Sequence, residues 1–301
     1  MKYIVTGGAG FIGSNLVDKL VDDGHEVFVF DDMSTGRYRN LNQDARMIDV
    51  DISKLQINDF SKYFNGVDVV FHLAAKARVQ PSIERPVYFN ETNVTGTLRL
   101  LKLSIEHGVR RFVYSSSSSV YGNTDKLPSK ETDSTNPLSP YGAQKLIGEI
   151  YCKTFSNVYN LETVSLRYFN VYGERQVLEG AYRLVMGIFI QQKLDGEPMT
   201  INGDGEQRRD FTYVGDVVRA NILASQSDKI GNGEVINIGN GNNRSVNDLA
   251  DMIGGDRIYR EPVIEPKETL AGNSLAKELL NWTPTMKIEN WISKYKKEMG
   301  L

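Results

Sequence analysis

A tyrosine and a lysine stand four residues apart at Tyr141 and Lys145, directly after Pro140. Proline favours the first turn of a helix, and this spacing puts both side chains on one helix face, one turn apart. A phenol with a pKa near 10 is a poor base at neutral pH, but a nearby ammonium group favours the phenolate. Lowering that pKa by about three units takes roughly 4 kcal/mol. The pair predicts proton transfer with a substrate hydroxyl in a dry pocket, although such spacing also occurs by chance on helix surfaces.

Three glycines, Gly7, Gly10 and Gly13, follow an apolar run and open a helical pattern. Glycines there allow a tight turn and let the backbone approach a pyrophosphate, which then lies at a helix N-terminus. Asp31 ends the second apolar run, where a carboxylate accepts hydrogen bonds from an adenosine ribose and repels a 2′-phosphate. The pattern predicts a dinucleotide site that prefers NAD to NADP. The adjacent Asp32 is expected to be a solvated loop acid.

The elements that must position these residues alternate between strand and helix. Apolar runs predict buried strands at 3–6, 27–30, 47–50, 67–73, 112–116 and 163–168, and helical spacing appears at 12–21, 94–105 and 146–155. This alternation predicts an α/β fold with a Rossmann-type, doubly wound parallel sheet. Strands covered on both faces should be continuously apolar, as these are. After residue 170 the pattern becomes irregular, and 235–238 predicts one more strand returning to the sheet.

The composition is that of an ordinary soluble chain, with 301 residues, 40% of them hydrophobic, and a formal net charge of −3. The low charge argues against a nucleic-acid surface covering the protein, and no apolar run approaches the ~20 residues that span a bilayer. The single cysteine excludes an intrachain disulfide framework, and three separated histidines form no metal-ligand pattern. With no signal-peptide pattern, we expect a cytoplasmic protein that binds no metal.

The segment 6–13 (Thr-Gly-Gly-Ala-Gly-Phe-Ile-Gly) resembles the extended branch of the short-chain dehydrogenase/reductase superfamily. The resemblance implies that an acidic–hydrophobic pair after the third strand contacts adenine, and that segment 72–75 (His-Leu-Ala-Ala) lines the pyrophosphate and ribose. It also implies that the lysine binds the nicotinamide ribose. The implied cofactor-binding residues are Gly7, Gly10, Phe11, Ile12, Gly13, Asp31, Asp51, Ile52, Leu73, Ala74, Ala75, Asn93, Ser115, Tyr141, Lys145 and Tyr168.

A run of five serines, 115–119, follows the fifth predicted strand. In the superfamily, the residue three before Val120 hydrogen-bonds the substrate oxygen, which makes Ser117 the third catalytic residue beside Tyr141 and Lys145. Sugar-nucleotide 4,6-dehydratases resemble this stretch but place Asp and Glu at the next two positions, and decarboxylating relatives place Glu at the second. Ser118 and Ser119 stand there instead. Elimination and decarboxylation therefore lose their acid/base group.

The remaining resemblance is to the UDP-glucose 4-epimerase family, carried by segments 167–173 (Arg-Tyr-Phe-Asn-Val-Tyr-Gly) and 203–213. It implies an arginine whose guanidinium fork suits a diphosphate, and a small residue where simple-hexose epimerases often have tyrosine. The chain departs from the family at Pro262, Gly272 and Leu275. The implied substrate-binding residues are Ser117, Tyr141, Asn170, Thr200, Asn202, Arg209, Thr269 and, as a candidate two residues before Pro262, Arg260.

These features predict an isomerase, an NAD-dependent UDP-sugar 4-epimerase that oxidises C4 to a 4-keto sugar and reduces it on the opposite face. UDP-glucose and UDP-galactose are the expected pair, with the N-acetylated pair as an option. We expect 1–169 to bind tightly held NAD, with 210–244 partly returning to that domain, and 170–301 to bind the nucleotide-sugar. The resemblance implies a homodimer through helices near 88–107 and 140–158. The alternatives are an epimerase or reductase for a dTDP-, GDP- or CDP-sugar, and a catalytically silent NAD-sensing regulator.

Overall fold

The computed structural model describes residues 1–55, 57–124, 126–176, 184–263 and 265–300. Seven of its strands form one parallel sheet in the order 3-2-1-4-5-6-11. The strands are β1 (Lys2–Thr6), β2 (Glu26–Asp31), β3 (Arg46–Asp49), β4 (Val69–His72), β5 (Arg111–Ser117), β6 (Glu162–Tyr168), β7 (Val171–Tyr172), β8 (Met199–Asn202), β9 (Arg208–Asp210), β10 (Thr212–Tyr213), β11 (Asn232–Ile238), β12 (Asn243–Ser245) and β13 (Arg257–Arg260).

The described residues form eleven α-helices, of which some cover the two faces of this sheet and others belong to a smaller region that follows β6. They are α1 (Phe11–Asp22), α2 (Ile57–Phe64), α3 (Val79–Glu84), α4 (Pro86–Asn90), α5 (Thr97–Glu106), α6 (Pro140–Tyr159), α7 (Val185–Leu194), α8 (Val214–Gln226), α9 (Val246–Ile253), α10 (Ser274–Leu280) and α11 (Ile288–Met299). A π-helical stretch, Glu91–Gly96, joins α4 to α5. The helix predicted over 94–105 therefore begins earlier and is interrupted. At this junction a Cβ on Gly96 would lie 2.8 Å from the Ile52 side chain.

Two apolar cores enclose the sheet. On one side α1, α8 and α10 pack on side chains such as Val5 and Val29, and on the other α5 and α6 pack on side chains such as Phe30 and Phe112. The predicted strands of the first half and the returning strand at 235–238 are present. The prediction of a doubly wound, Rossmann-type parallel sheet is confirmed.

A smaller region follows β6 and forms its own apolar core. Helices α7, α9 and α11 pack around side chains that include the fully buried Trp291 and Phe189. This part of the chain also forms three two-stranded sheets, β7 with β10, β8 with β13 and β9 with β12. Among the described residues, no helix combines the length and the hydropathy needed to cross a membrane.

Candidate active site

A cavity of about 820 Å³ lies along the carboxyl ends of the strands from β3 to β6. Open α/β sheets bind their ligands at this edge. Most residues that the sequence singled out line this cavity: Gly7, Gly10, Phe11, Ile12, Gly13, Asp31, Asp51, Ile52, Leu73, Ala74, Ala75, Ser115, Ser117, Tyr141, Lys145, Tyr168, Asn170, Asn202, Arg209 and Thr269.

The glycine loop joins β1 to α1 through a turn that side chains would block. Gly7 has a φ of +71°, and a Cβ there would lie 2.8 Å from the backbone nitrogen of Ala74. A Cβ on Gly13 would lie 2.1 Å from the carbonyl oxygen of Gly7. The first turn of α1 contains no acidic residue, and its N-cap, Gly10, offers no side-chain hydrogen bond. The N–H groups of that turn have no partner within the helix, so they are available to an anion in the cavity.

Two acidic side chains, Asp31 and Asp51, line the cavity beside the glycine loop. The buried Asp31 carboxylate accepts hydrogen bonds from the backbone N–H groups of Ala9 and Met33, at 3.0 and 2.9 Å. Burial raises its pKa, and these two hydrogen bonds oppose that effect. Asp51 caps a short 3₁₀ turn by accepting from the Ser53 N–H. Both carboxylates line the cavity, where their oxygens can accept hydrogen bonds from hydroxyl groups of a ligand.

Helix α6 carries the tyrosine and the lysine on one face, as their spacing predicts. Its N-cap is Ser139, whose hydroxyl accepts from the Gly142 N–H at 3.1 Å, and Tyr141 donates its own N–H to Ser82 on α3. The Ser117 hydroxyl at the end of β5 acts on the Tyr141 phenol and lowers its pKa. The cap and the α3 contact fix the first turn of α6, and the phenol is thereby placed next to the serine hydroxyl inside the cavity.

Burial opposes ionisation of the tyrosine in this pair. Burial raises the pKa of Tyr141, while the hydrogen bond with Ser117 and the charge of Arg78 act in the opposite direction. The Lys145 Nζ atom donates to the Ser115 carbonyl oxygen at 2.7 Å and lies 6.0 Å from the centroid of the tyrosine ring. Burial lowers the pKa of Lys145 to about 8, and the charge of Glu149 opposes this. The chain by itself therefore holds Tyr141 as a neutral phenol.

A buried ion pair fixes the strands that carry the serines. Glu149, one turn after Lys145 on α6, accepts two hydrogen bonds from Arg167, at 2.9 and 2.7 Å, and one from Ser116 at 2.5 Å. Both ionic side chains are 4% exposed. Removing one member of such a pair leaves an uncompensated buried charge. This contact ties α6 to β5 and β6 at the level of the catalytic side chains.

The far end of the cavity contains polar groups suited to an anion. Arg209 is mostly buried, and its guanidinium contacts the Glu265 carboxylate at 2.6 Å. Asn170, at a φ of +23°, donates its amide N–H to Thr269 at 3.3 Å and to the Asp210 carbonyl at 3.4 Å. A guanidinium and an amide that face the same cavity can both donate to phosphate oxygens.

Three of the predicted binding residues do not line the cavity. Thr200 faces α7, where its hydroxyl contacts the Gln192 side chain at 3.0 Å. Arg260 lies on β13, which pairs with β8, and is exposed. The backbone carbonyl oxygen of Arg260 accepts a hydrogen bond from the Gly203 N–H. Asn93 is buried beneath the cavity wall, where it bonds the backbone of Lys76. The side chains of Thr200 and Asn93 are therefore held by hydrogen bonds within the fold.

The three departures from the family pattern have ordinary surroundings. Pro262 lies against Gly203, and a Cβ on that glycine would be 3.6 Å from the proline ring. Gly272 donates its N–H to the Ser129 carbonyl at 2.8 Å. Leu275 is partly buried against the core beside α8 and β11. Gly272 and Leu275 therefore serve local packing in this chain.

Two further cavity residues had no motif to reveal them. Lys76 is 6% exposed and contacts Asp32, so this carboxylate is not the solvated loop acid that the sequence suggested. Gln176 is 8% exposed, and among the described residues neither its amide nitrogen nor its amide oxygen has a hydrogen-bond partner. Buried polar groups are nearly always paired. The Gln176 amide is therefore available to a ligand that offers both a donor and an acceptor.

These features fit a dinucleotide. The open first turn of α1 suits a pyrophosphate, Asp31 suits a ribose with free hydroxyls, and the apolar side chains of Ile52 and Leu73 suit a flat base. Among the described residues no cluster of histidine, cysteine or acidic side chains is arranged to hold a metal ion. The site is thus equipped for an organic cofactor beside a tyrosine that can exchange a proton.

A sequence model of the NAD dependent epimerase/dehydratase family matches residues 3–239. The chain belongs to this family. The UDP-glucose 4-epimerase of Thermotoga maritima, solved with UDP-glucose, is 38% identical, with a TM-score of 0.93 and coverage of 99% of this chain and 100% of that one. The UDP-N-acetylglucosamine 4-epimerase of Methanobrevibacter ruminantium, solved with UDP-N-acetylmuramic acid, is 37% identical, with a TM-score of 0.92 and coverage of 98% and 97%.

A third family structure was solved with its cofactor. The UDP-glucuronic acid 4-epimerase of Bacillus cereus, in complex with UDP-glucuronic acid and NAD, is 34% identical, with a TM-score of 0.88 and coverage of 100% of this chain and 99% of that one. The three relatives carry different sugars on the same nucleotide. The family resemblance seen in the sequence is confirmed, together with NAD as the cofactor of the family.

Proposed function

We propose that the protein is an isomerase, an NAD-dependent 4-epimerase of UDP-sugars. The observation that carries the proposal is the single cavity that joins the glycine loop, the Tyr141–Ser117 pair and Arg209. Similar chains named as UDP-sugar 4-epimerases support the nucleotide and the reaction. Ser118 and Ser119, which also line the cavity, carry no acid for elimination or decarboxylation.

The catalytic residues act on the hydroxyl at C4 of the sugar. NAD held at the glycine loop and Asp31 would supply reversible hydride transfer at C4, by which the sugar is oxidised to a 4-keto sugar and reduced on the opposite face. Tyr141 takes the hydroxyl proton as the carbonyl forms and returns it when the hydroxyl is restored. Ser117 donates a hydrogen bond to the same oxygen. The phenol of the isolated chain is neutral, so we expect the ammonium of Lys145 and the positive charge of the bound nicotinamide together to lower its pKa.

The end of the cavity near Arg209 must hold the nucleotide while the 4-keto sugar rotates to present its opposite face. Arg209 and Asn170 donate to the diphosphate, which requires the Arg209–Glu265 contact to open or to be shared. The preferred sugars are glucose and galactose. Thr269 also lines the cavity, and its small side chain leaves room beside C2, which supports acceptance of the N-acetylated pair.

Two parts of the chain divide the work. Residues 1–169 bind NAD, with part of 210–244 returning to that unit, and 170–301 bind the nucleotide-sugar. The pairing of β11 with β6 supports the return of the later segment. The protein works in the cytoplasm, which its lone and buried Cys152 supports because it needs no oxidising compartment.

The protein is a homodimer that packs the helical segments near 88–107 (from the end of α4 through α5) and 140–158 (α6) against their counterparts. Support comes from large apolar side chains exposed on these segments: Tyr88 at 41%, Ile150 at 56% and Val158 at 62%. Contiguous exposed apolar surface marks interaction sites. Ile150→Lys should yield monomers in light scattering, whereas Ile258→Lys, which changes an exposed side chain on β13, should not. A monomeric wild-type protein would contradict the proposal.

Incubation with UDP-sugars and no added cofactor tests the function. UDP-glucose, UDP-N-acetylglucosamine and UDP-glucuronate should be offered separately, with their 4-epimers, and followed by sugar-ring NMR. We expect conversion of at least one pair by the wild type and by Tyr151→Phe, which removes a phenol elsewhere on α6 and serves as the matched control. Tyr141→Phe should be inactive. If no UDP-sugar is converted, the proposal is wrong, and release of NADP on denaturation would contradict the role of Asp31.

A further inference from the structure

A buried lysine links two strand ends on opposite sides of the glycine loop. Lys76 follows β4, and its Nζ atom donates to the Asp32 carboxylate at 3.0 Å and to the Ser34 hydroxyl at 2.5 Å. Asp32 and Ser34 follow β2. The ammonium also lies 5.6 Å from the centroid of the Tyr88 ring. Lys76, Asp32 and Ser34 all line the cavity.

The sheet order gives the contact its meaning. Strands β2 and β4 are the two neighbours of β1, and the glycine loop begins where β1 ends. A side-chain bridge from the end of β4 to the end of β2 therefore crosses the edge from which that loop leaves the sheet. This is the place where the open first turn of α1 offers its N–H groups to a pyrophosphate.

The bridge is also held firmly on the β4 side. Asn93 accepts from the Lys76 N–H at 2.8 Å and donates to its carbonyl oxygen at 2.9 Å. The Asn93 amide also donates a hydrogen bond to the side-chain oxygen of Gln144 on α6, at 2.9 Å. Burial opposes the charge of Lys76, but its contacts with Asp32 raise its pKa overall. The ammonium group stays charged beside a site built for a dianion.

We propose that Lys76 and Asp32 form an ionic bridge that retains NAD by closing over its adenosine ribose and pyrophosphate. Asn93 is a positioning residue that fixes the lysine end. The inference rests on the proposed function in one respect: an epimerase regenerates its cofactor at every turnover, so slow release does not limit the rate. Lys76 supplies a cation to the pyrophosphate, and Asp32 fixes where that cation lies.

The dissociation rate of NAD tests the bridge without an epimerase assay. Protein loaded with NAD is mixed with alcohol dehydrogenase and ethanol, which convert released NAD to NADH, and the ultraviolet absorbance of NADH gives the rate. We expect Lys76→Met and Asp32→Asn each to speed release about tenfold, equal to about 1.4 kcal/mol. The double variant should release NAD no faster than the faster single variant, because both remove one interaction. Lys76→Arg should restore most of the retention.

Lys19→Met is the matched control, since it removes an ion pair with Asp23 from the exposed face of α1. It should release NAD at the wild-type rate. Release within about twofold of wild type from both bridge variants would overturn the proposal. If Lys76→Met speeds release and Asp32→Asn does not, the bridge is also wrong, because the lysine then acts without its acid. Because the readout is cofactor loss, a protein that retains NAD but converts no UDP-sugar would refute only the proposed function.

Discussion

His72 should make the stability of the protein fall steeply in mild acid. Its imidazole is 1% exposed at the end of β4, with Nδ1 2.7 Å from the Thr6 hydroxyl and Nε2 2.8 Å from the Thr97 hydroxyl. The Phe112 and Tyr114 rings lie beside it. Burial, with a smaller contribution from the charge of Lys145, lowers its pKa from 6.5 to about 3. The folded protein therefore keeps this ring neutral where the unfolded chain binds a proton.

The sign and size of the effect follow from this difference. Stability is fully present above pH 6.5, where neither state binds the proton, and is lost as the pH falls toward 3. The complete loss is about 5 kcal/mol, from 3.5 pKa units at 1.36 kcal/mol each. Between about pH 7.5 and about pH 5 the loss is about 2 kcal/mol.

Denaturant unfolding across that range measures the effect. The advantage of the wild type over His72→Gln should shrink by about 2 kcal/mol between about pH 7.5 and about pH 5, because glutamine binds no proton. His107→Gln, which replaces a partly exposed imidazole, is the matched control for loss of a histidine. A wild-type advantage that is the same at both pH values would refute the reasoning.

Three further predictions concern the cavity. Tyr141→Phe should lower kcat about a thousandfold while NAD binding, measured by calorimetry, weakens far less; weaker NAD binding with intact kcat would contradict the assigned role. Arg209→Lys should raise KM about tenfold with a smaller change in kcat, because lysine lacks the planar fork. Steady-state kinetics measure both constants, and an unchanged KM would show that Arg209 pairs with Glu265 and does not bind the substrate. Gln176→Met should raise the unfolding midpoint of the cofactor-free protein by about 2 °C, because a buried unpaired amide is lost. The same variant should bind NAD or the UDP-sugar less tightly, and a lower midpoint would show that the amide is already paired.

The sequence predicts the central sheet well because its signal is local. Strands covered on both faces must be apolar throughout, and runs such as 27–30 and 112–114 satisfy this condition without reference to the rest of the chain. The three short strand pairs, β7 with β10, β8 with β13 and β9 with β12, lack such a signal. Their strands are only two to four residues long, and each depends on a partner strand far away in the sequence. The same is true of the π-helical turn before α5, where Gly96 lies against the distant Ile52.

The site divides in the same way. The glycines, Asp31 and the Tyr141–Lys145 spacing belong to local motifs, and the structure gathers them in one cavity. Lys76 could not be found from such motifs, since its acid lies 44 positions away and the two meet only through the sheet order. Arg260 shows another limit of sequence reasoning, because alignment by register cannot show that a side chain on β13 is exposed.

Transfer of deuterium tests the central claim most directly. A UDP-sugar carrying deuterium at C4 is incubated with the purified protein in ordinary water, and the 4-epimer is analysed by NMR and mass spectrometry. If C4 is oxidised and reduced again within the closed cavity, with Tyr141 handling only the hydroxyl proton, the product keeps its deuterium at C4. A 4-epimer whose C4 deuterium has been replaced by hydrogen from the solvent would contradict the account.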